Sequence, residues 1–564
     1  MKIARPLLLA ALLAAATAAQ ADTLTFPQAA APCNTTLQAC VNAAASGDTI
    51  ELATNALIDE SVTIDQSLTV RAAPTYSPGV RALVALAGAA DLQVAFGGLH
   101  GSTRLMGILG PGGGSLDFTA TGNQLENDFG SSIEVRHSTH DGTYGTLTAV
   151  ITDNTIIQRR GGGSCANPIM VHAHQASAVS ATIARNRITA VNLTECALVD
   201  LYTTAGPFHL LAQHNYLRGT GGFNNGISLR SLGSAVTAAI LNNVISGQKN
   251  HAGGPAAIML NAEDNGAHIA AQVLHNTIAG NDVGLIANAR TDLGARLTGR
   301  LANNIFAHHA RHAFWLDDER VPGFLDSHNL VFAAPPLPPA GGPRPYGPGT
   351  RTGDPRFADP EPGDFSLLPD SDAIDYGSDA LADARVTQDL LGRPRRVRTV
   401  DMGAYEFQGT PLPQVHIASA SVTEGRAGGT AQLRFTVTLS AVPAAPVSLN
   451  WRTADGTATA PADYASDLGT LTWAAGDNSP RTISISVRGD DDPEPSETMQ
   501  VLLEAIAGAT AATAQARGTI VSDDGPSGAV AVPALGAAGL AAISTLLAGG
   551  GALAARRRRG RRQD

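Results

Sequence analysis

Lysine is almost missing from this 564-residue chain, with Lys2 and Lys249 the only two. Arginine carries the basic charge and is outnumbered: between Asp22 and Ala555, 30 basic residues face 48 acidic ones. Such a surface repels phosphate backbones and attracts cations, so nucleic acid is not an expected partner. Aromatic residues are only 4% of the chain. No His-Glu-x-x-His, Gly-His-Gly or Arg-x-Pro-x-x-Arg occurs, which removes the zinc-peptidase motif and the motifs of polygalacturonase-like hydrolases and pectate lyases. There are four cysteines, all in the part expected to be exported. They fit two structural bridges in an oxidising compartment better than metal ligation or catalysis, with three pairings open.

Long apolar runs are confined to the two ends. Lys2 and Arg5 precede LLLAALLAAATA and the small-residue site Ala19-Gln20-Ala21, which reads as a signal peptide over 1–21 with the mature chain starting near Asp22. At the other end, the 27 residues Ala529 to Ala555 lead into an arginine cluster, Arg556 to Arg562. As a helix that run would be about 40 Å long against a hydrocarbon core of roughly 30 Å. The segment 529–562 is thus expected to engage the inner membrane at least transiently, with the arginines on the cytoplasmic side.

The middle of the chain repeats. A short unit of two apolar residues, a polar gap and Asn-x-Ile/Leu/Val ends at Asn154, Asn186, Asn215, Asn243, Asn276, Asn304 and Asn329, with a weaker copy at Asn123. Successive gaps are 31, 32, 29, 28, 33, 28 and 25 residues. A period of this size marks a solenoid, in which no single unit can bury its apolar face alone. Alternation at Val150, Thr152, Asn154 and Ile156 favours strands, and each period carries a second alternating run, such as IEVRH near Ile133 or GISLRS near Ile227. The expectation is an all-β fold, a right-handed parallel β-helix over 22–333 with an N-terminal cap. The repeated asparagines would stack at the strand spacing of roughly 4.8 Å as a corner ladder, not an active site.

Cys33 and Cys40 flank an apolar-faced helix that Gly47 would end. Cys165 and Cys196 lie 11 and 10 residues after consecutive ladder asparagines, so they should fall almost one above the other. His308, His309 and His312, and separately His172 and His174, are close enough to bind a transition metal or simply to stack; no acidic partner recurs at ligand spacing. The acidic run from Asp317 to Arg320 is a candidate sugar or Ca²⁺ contact, or a solvated edge.

A Pro/Gly-rich stretch, 334–353, then breaks the pattern as a linker. The block 354–408 holds DPRF at Asp354, GDFSLLPDSDAIDYG to Gly377, DLLGRPR at Asp389 and VDMGAYEF to Phe407. It resembles the choice-of-anchor Q domain of bacterial surface proteins, which implies a pectin lyase-like β-helix protein and supplies no catalytic residues. Asp375, Asp389, Arg393, Arg395 and Asp401 are the residues that could serve uronate chemistry; the competing reading has them capping the open end of the solenoid with ion pairs.

From Gln414 to Gly525 turn residues recur every 8 to 12 positions between Val/Thr/Leu strands, the pattern of a β-sandwich. SVTEG, LRFTVTLS, VSLNWRTADGTATAPADY, ISVRGDDDPEPSETMQVLL and GTIVSDD closely resemble a Calx-beta domain over 414–525, an immunoglobulin-like sandwich that places Ca²⁺ between loops. The resemblance implies Ca²⁺ as cofactor and Glu424, Asp463, Asp490, Glu494, Asp523 and Asp524 as its ligands. Gly489 stands where exchanger domains have a further Asp, and Ser496 replaces a common acidic residue. The tail, with Val532-Pro533-Ala534-Leu535 before the apolar run, resembles the IPTL-CTERM sorting signals, which implies a sorting peptidase as partner. Together these readings describe an exported, surface-attached protein. Its role would be non-catalytic binding, adhesion or structure toward polysaccharide or extracellular matrix, the alternative being a polysaccharide lyase or glycoside hydrolase.

Overall fold

The computed structural model describes residues 21–524 apart from 129, 138–143, 160–165, 175–176, 249–255, 317–319, 335–345 and 362. The expected signal peptide, the C-terminal apolar segment with its arginines, Cys165, Lys249 and Asp317 to Glu319 lie outside these residues. Among the described residues no helix is long and apolar enough to cross a membrane. The chain forms two compact units divided after Pro411.

The first unit is a parallel β-solenoid. One coil shows the design: strand Thr146–Thr152, a corner at Asp153 and Asn154, strand Thr155–Arg159, a loop, strand Ile169–Ala173, and then Ala178–Ala184 of the next coil. The first strand of every coil joins one twelve-stranded sheet running from Thr23–Phe26 to Gly323–Ser327; the others join a second, eighteen-stranded sheet. Because the register repeats coil on coil, like residues stack. Ile151, Ile183, Ala212, Ile240, Val273 and Leu301 form one buried column, and Ile156, Ile188, Leu217, Ile245, Ile278 and Phe306 another. Each buried aliphatic side chain is worth about 1.5–3 kcal/mol, and the columns supply this at every level of the stack.

The corner ladder is present and buried. From Asn123 to Asn329 each asparagine is at most 1% exposed. The Oδ1 of each member accepts both the backbone N–H and the side-chain Nδ2 of the member one coil earlier, at 2.8–3.1 Å, as in Asn215 to Asn243 at 2.9 Å for both bonds. Each Nδ2 also donates to a backbone carbonyl of the preceding coil, such as Asn243 to Ala212. The chain can turn there because the residue before each asparagine is left-handed: Gly122, Asp153, Arg185, His214, Asn242, His275, Asn303 and His328 all have φ between 51° and 66°.

At the N-terminal end the helix Leu37–Ala43 buries Leu37, Cys40 and Val41; Thr36 Oγ1 caps it by accepting from Ala39 N at 3.1 Å, and Cys33 is bonded to Cys40. Cys196 is buried, with its Sγ 3.1 Å from the amide of Ala166, the neighbour of Cys165. The end of the Pro/Gly-rich stretch belongs to the solenoid: Gly347 N donates to Asp326, and Arg351–Thr352 pairs in parallel with Leu330–Phe332.

Segment 354–408 does not cap the open end. It folds back along the side of the coils, over the ladder corner. Phe357, Phe365, Ile374, Met402 and Tyr405 pack on Tyr216, Val244, Ile305 and Leu330, outward positions of one column in which Thr277 holds the coil between Val244 and Ile305. Polar pins fix it there: Ala404 N to Thr277 Oγ1 at 2.9 Å, Gly403 N to Asn303 O at 2.8 Å, and Ser378 N to Asn303 Oδ1 at 2.7 Å. The physical reason is composition, since those coils present apolar residues outward that need a cover.

The second unit is a sandwich of two sheets. Gln414–Ile417, Thr430–Leu439, Arg481–Arg488 and Thr510–Ala511 form one; Ala420–Thr423, Val447–Asp455, Leu468–Trp473, Glu497–Ala507 and Gln515–Val521 form the other. Trp473, Tyr464, Phe435 and Ile485 fill the space between them, with Trp473 Nε1 donating to Ser479 O at 2.8 Å.

Candidate functional site

Acidic side chains converge at one end of the sandwich. Glu424 follows the strand Ala420–Thr423, Asp490 and Glu494 lie in the loop after Arg481–Arg488, and Glu497 opens the strand Glu497–Ala507. Carboxylate oxygens of Glu424, Asp490 and Glu494 lie within 4.8 Å of one another, as do those of Asp463, Glu494 and Glu497. Glu494 belongs to both trios. Gathering like charges costs energy: burial and acidic neighbours push Glu424, Glu494 and Asp524 up, and Glu497 up to about 7.

Three oxygens here, Glu424 Oε1, Glu497 Oε2 and Asp524 Oδ2, are buried and have no hydrogen-bond partner. Orphaned carboxylate oxygens in an oxygen-only cluster fit a hard divalent cation such as Ca²⁺, which takes six to eight of them. Of the residues expected from sequence, Glu424, Asp463, Asp490 and Glu494 fall in the two trios. Asp523 and Asp524 do not; Asp523 Oδ1 instead holds Gly425 N at 3.0 Å, and Asp524 acts on its neighbours through charge. Sequence reading missed Glu497, which supplies an acid one position after Ser496. Gly489 has no room for an aspartate, because a Cβ there would lie 2.2 Å from Gly425 O.

The residues that could serve uronate chemistry are bound up in structure. Asp389 accepts from Leu391 N, Arg393 N, Glu406 N and the Arg393 guanidinium. Asp401 accepts from Asp375 N at 2.7 Å and Phe407 N at 2.6 Å, and Asp375 pairs with Arg398 at 2.6 Å. Arg395 is buried and donates to His275 Nδ1, Asp401 O and Gly403 O at 2.7–2.8 Å, with Glu406 3.7 Å away. Burial pushes Asp401 up to about 6 and Glu406 to about 7, and holds His275 well below its usual range.

On the outer face of the eighteen-stranded sheet, the column Glu134, Met170, Asp200 meets the column Arg136, His172, Tyr202, Arg230. Asp200 is held by His172 Nε2 at 2.8 Å, Glu134 by Arg136, and Arg230 reaches Glu263 at 2.7 Å. His172 and His174 both pack against Tyr202 with their rings tilted by 54° and 57° to it. The other histidine group disperses: His309 is buried, with burial pushing it down to about 4, while His308 packs edge-on to Phe332 and His312 on Trp315. Among the described residues no histidine joins a group of metal-ligating side chains.

Comparison with known proteins identifies part of the chain. The Calx-beta domain family matches residues 413–524. Among solved structures, the apo-form Calx CBD1 domain is 24% identical over 20% of this chain and 99% of its own, with a TM-score of 0.18. The calcium binding domain CBD12 of CALX1.1 is 25% identical over 19% of this chain and 45% of its own (TM-score 0.17), and CBD12 from CALX1.2 is 25% identical over 20% and 46% (TM-score 0.18). This chain therefore spans about half the length of each CBD12 structure. No curated protein matches.

Proposed function

We propose that this is an exported, surface-attached protein in which a Ca²⁺-binding sandwich accompanies a β-solenoid that binds polysaccharide or matrix without cleaving it. The observation that carries the Ca²⁺ part is the pair of carboxylate trios sharing Glu494, with unpartnered oxygens on Glu424 and Glu497. Glu424, Asp463, Asp490, Glu494 and Glu497 would hold the ion. When bound, the cation neutralises the cluster and ties together loops that otherwise repel one another. Asp463 is already oriented, its Oδ2 accepting from Thr459 N at 2.7 Å.

The solenoid reading is supported by how its charged residues are spent. Asp389, Arg393, Arg395 and Asp401 hold the back-folded segment, Glu134 is paired with Arg136, and Asp200 is hydrogen-bonded to His172. A second reading rests on Asp200 and His172: with Glu134 two coils away, roughly 9.6 Å at the strand spacing, this face could carry an acid and a base for glycoside or uronate cleavage. Incubation with acidic and neutral polysaccharides, with and without Ca²⁺, separates the two. Retention of intact polymer is expected; new chain ends would establish the enzyme.

A further inference from the structure

We infer that the groove between the ladder corner and the back-folded segment is a subsite for a carboxylate-bearing sugar residue. The inference deepens the polysaccharide reading and rests on it. The groove measures about 600 Å³ and lies within the first unit, between Arg187 and Tyr216 of the coils and Asp364, Gln388, Leu391 and Tyr405 of the segment. That volume falls inside the roughly 300–1,000 Å³ of small-ligand sites, which combine apolar walls with a few convergent polar groups.

Two of its groups lack partners. The Arg187 guanidinium sits 4.3 Å over the Tyr216 ring and makes no ion pair among the described residues, whereas Arg185 is taken by Asp153 at 2.7 Å and Asp389 by Arg393 at 2.7 Å; Asp364, also without an ion pair, holds Ser366 N at 2.9 Å. A guanidinium stacked on a ring keeps its N–H edge free, and that planar fork matches a carboxylate. Tyr216 is pinned beneath it, its hydroxyl donating to Gly363 O at 3.2 Å, so the stack is preorganised. Tyr405 is the second: its ring is buried, its hydroxyl has no hydrogen-bond partner among the described residues, and it lines the groove. Exposed Asp364 and Gln388 offer acceptors for sugar hydroxyls, and Leu391, 58% exposed, offers an apolar surface for a sugar's C–H face. Against a chain of net charge -11, the unpaired Arg187 beside the Tyr405 hydroxyl is a local cationic point that favours a ligand carrying its own negative charge.

The test is calorimetric titration of the full protein with tetragalacturonate and with its methyl ester, which keeps the shape and removes the charge. The wild type should bind the acid and not the ester. Arg187→Met should weaken binding at least tenfold and Tyr405→Phe several-fold, both at unchanged melting temperature, because loss of a charged hydrogen bond outweighs loss of a neutral one. Equal affinity in wild type and Arg187→Met would overturn the groove; if Arg230→Met then abolished binding, the polysaccharide reading would stand on the sheet face instead. Equal binding of acid and ester would also overturn it. If the wild type binds neither oligomer, the groove is refuted, and retention of whole polymer decides the broader reading separately.

Discussion

Replacing Asn243 by alanine removes one rung from the middle of the ladder. Its Oδ1 accepts Asn215 N and Asn215 Nδ2, both at 2.9 Å, and its Nδ2 donates to Ala212 O and Asn276 Oδ1, both at 3.0 Å. Asn215 Nδ2 keeps Ile183 O, and Asn276 Oδ1 keeps the amide of residue 243. The groups left buried with nothing are the Asn215 amide and one carbonyl bond of Ala212. An orphaned buried group costs about 1–3 kcal/mol, so the local loss should be about 2–4 kcal/mol. Native-state hydrogen exchange reads this directly. The Asn215 amide should exchange at least about 30-fold faster than in the wild type, since each 1.4 kcal/mol is about tenfold. The amide of Val70, many coils away, should be unchanged. Asp153→Asn, which breaks an exposed pair with Arg185 and keeps a side chain that tolerates the left-handed angle of 59°, is the control and should move Asn215 little. If Asn243→Ala and Asp153→Asn leave Asn215 equally protected, the ladder does not hold the coils.

Other consequences follow from the same geometry. Glu497 is pushed up to about 7, so without Ca²⁺ its contribution to sandwich stability is full below about pH 4.5 and lost as pH rises through about 7; calorimetric melting in a chelator should show the sandwich transition falling over that window, and a flat or rising profile would refute the cluster. Glu406, also raised to about 7, has the same sign in the back-folded segment, so limited proteolysis of 354–408 should accelerate from pH 5 to 8, and Glu406→Gln should flatten that dependence. Arg395→Met strips the donor from His275 Nδ1, Asp401 O and Gly403 O and should cost about 3 kcal/mol or more in release of the same segment. Gly489→Asp, which brings the position toward the exchanger pattern, should lower the melting temperature and add no ion, because its Cβ collides with Gly425 O.

The solenoid was legible because a ladder needs the same side chain at every coil, and eight asparagines announce their own register. The left-handed residue before each was not legible: Asp153, Arg185, His214, Asn242 and His275 share a backbone angle and no chemistry. The lateral packing of 354–408 escaped for a related reason. Its apolar residues follow no period, and the outward Tyr216, Val244 and Ile305 that receive them read as ordinary strand residues. In the sandwich, the motif pointed to the loop that holds Asp490 and Glu494, while Glu497 was hidden at the start of a strand where alternation, not ligation, is the obvious role. Asp523 and Asp524 follow the motif in sequence, yet their oxygens lie outside both trios.

The central claim is that the acidic end of the sandwich is a Ca²⁺ site. Calorimetric titration of the full protein with CaCl₂, alongside Glu494→Gln, tests it most directly, because Glu494 is common to both trios. Saturable binding tighter than about 10⁻³ M, strongly weakened in Glu494→Gln and accompanied by a rise in the sandwich melting temperature, is the predicted result. No binding heat and no melting shift at roughly 10⁻² M Ca²⁺, or identical titrations of wild type and Glu494→Gln, would contradict it.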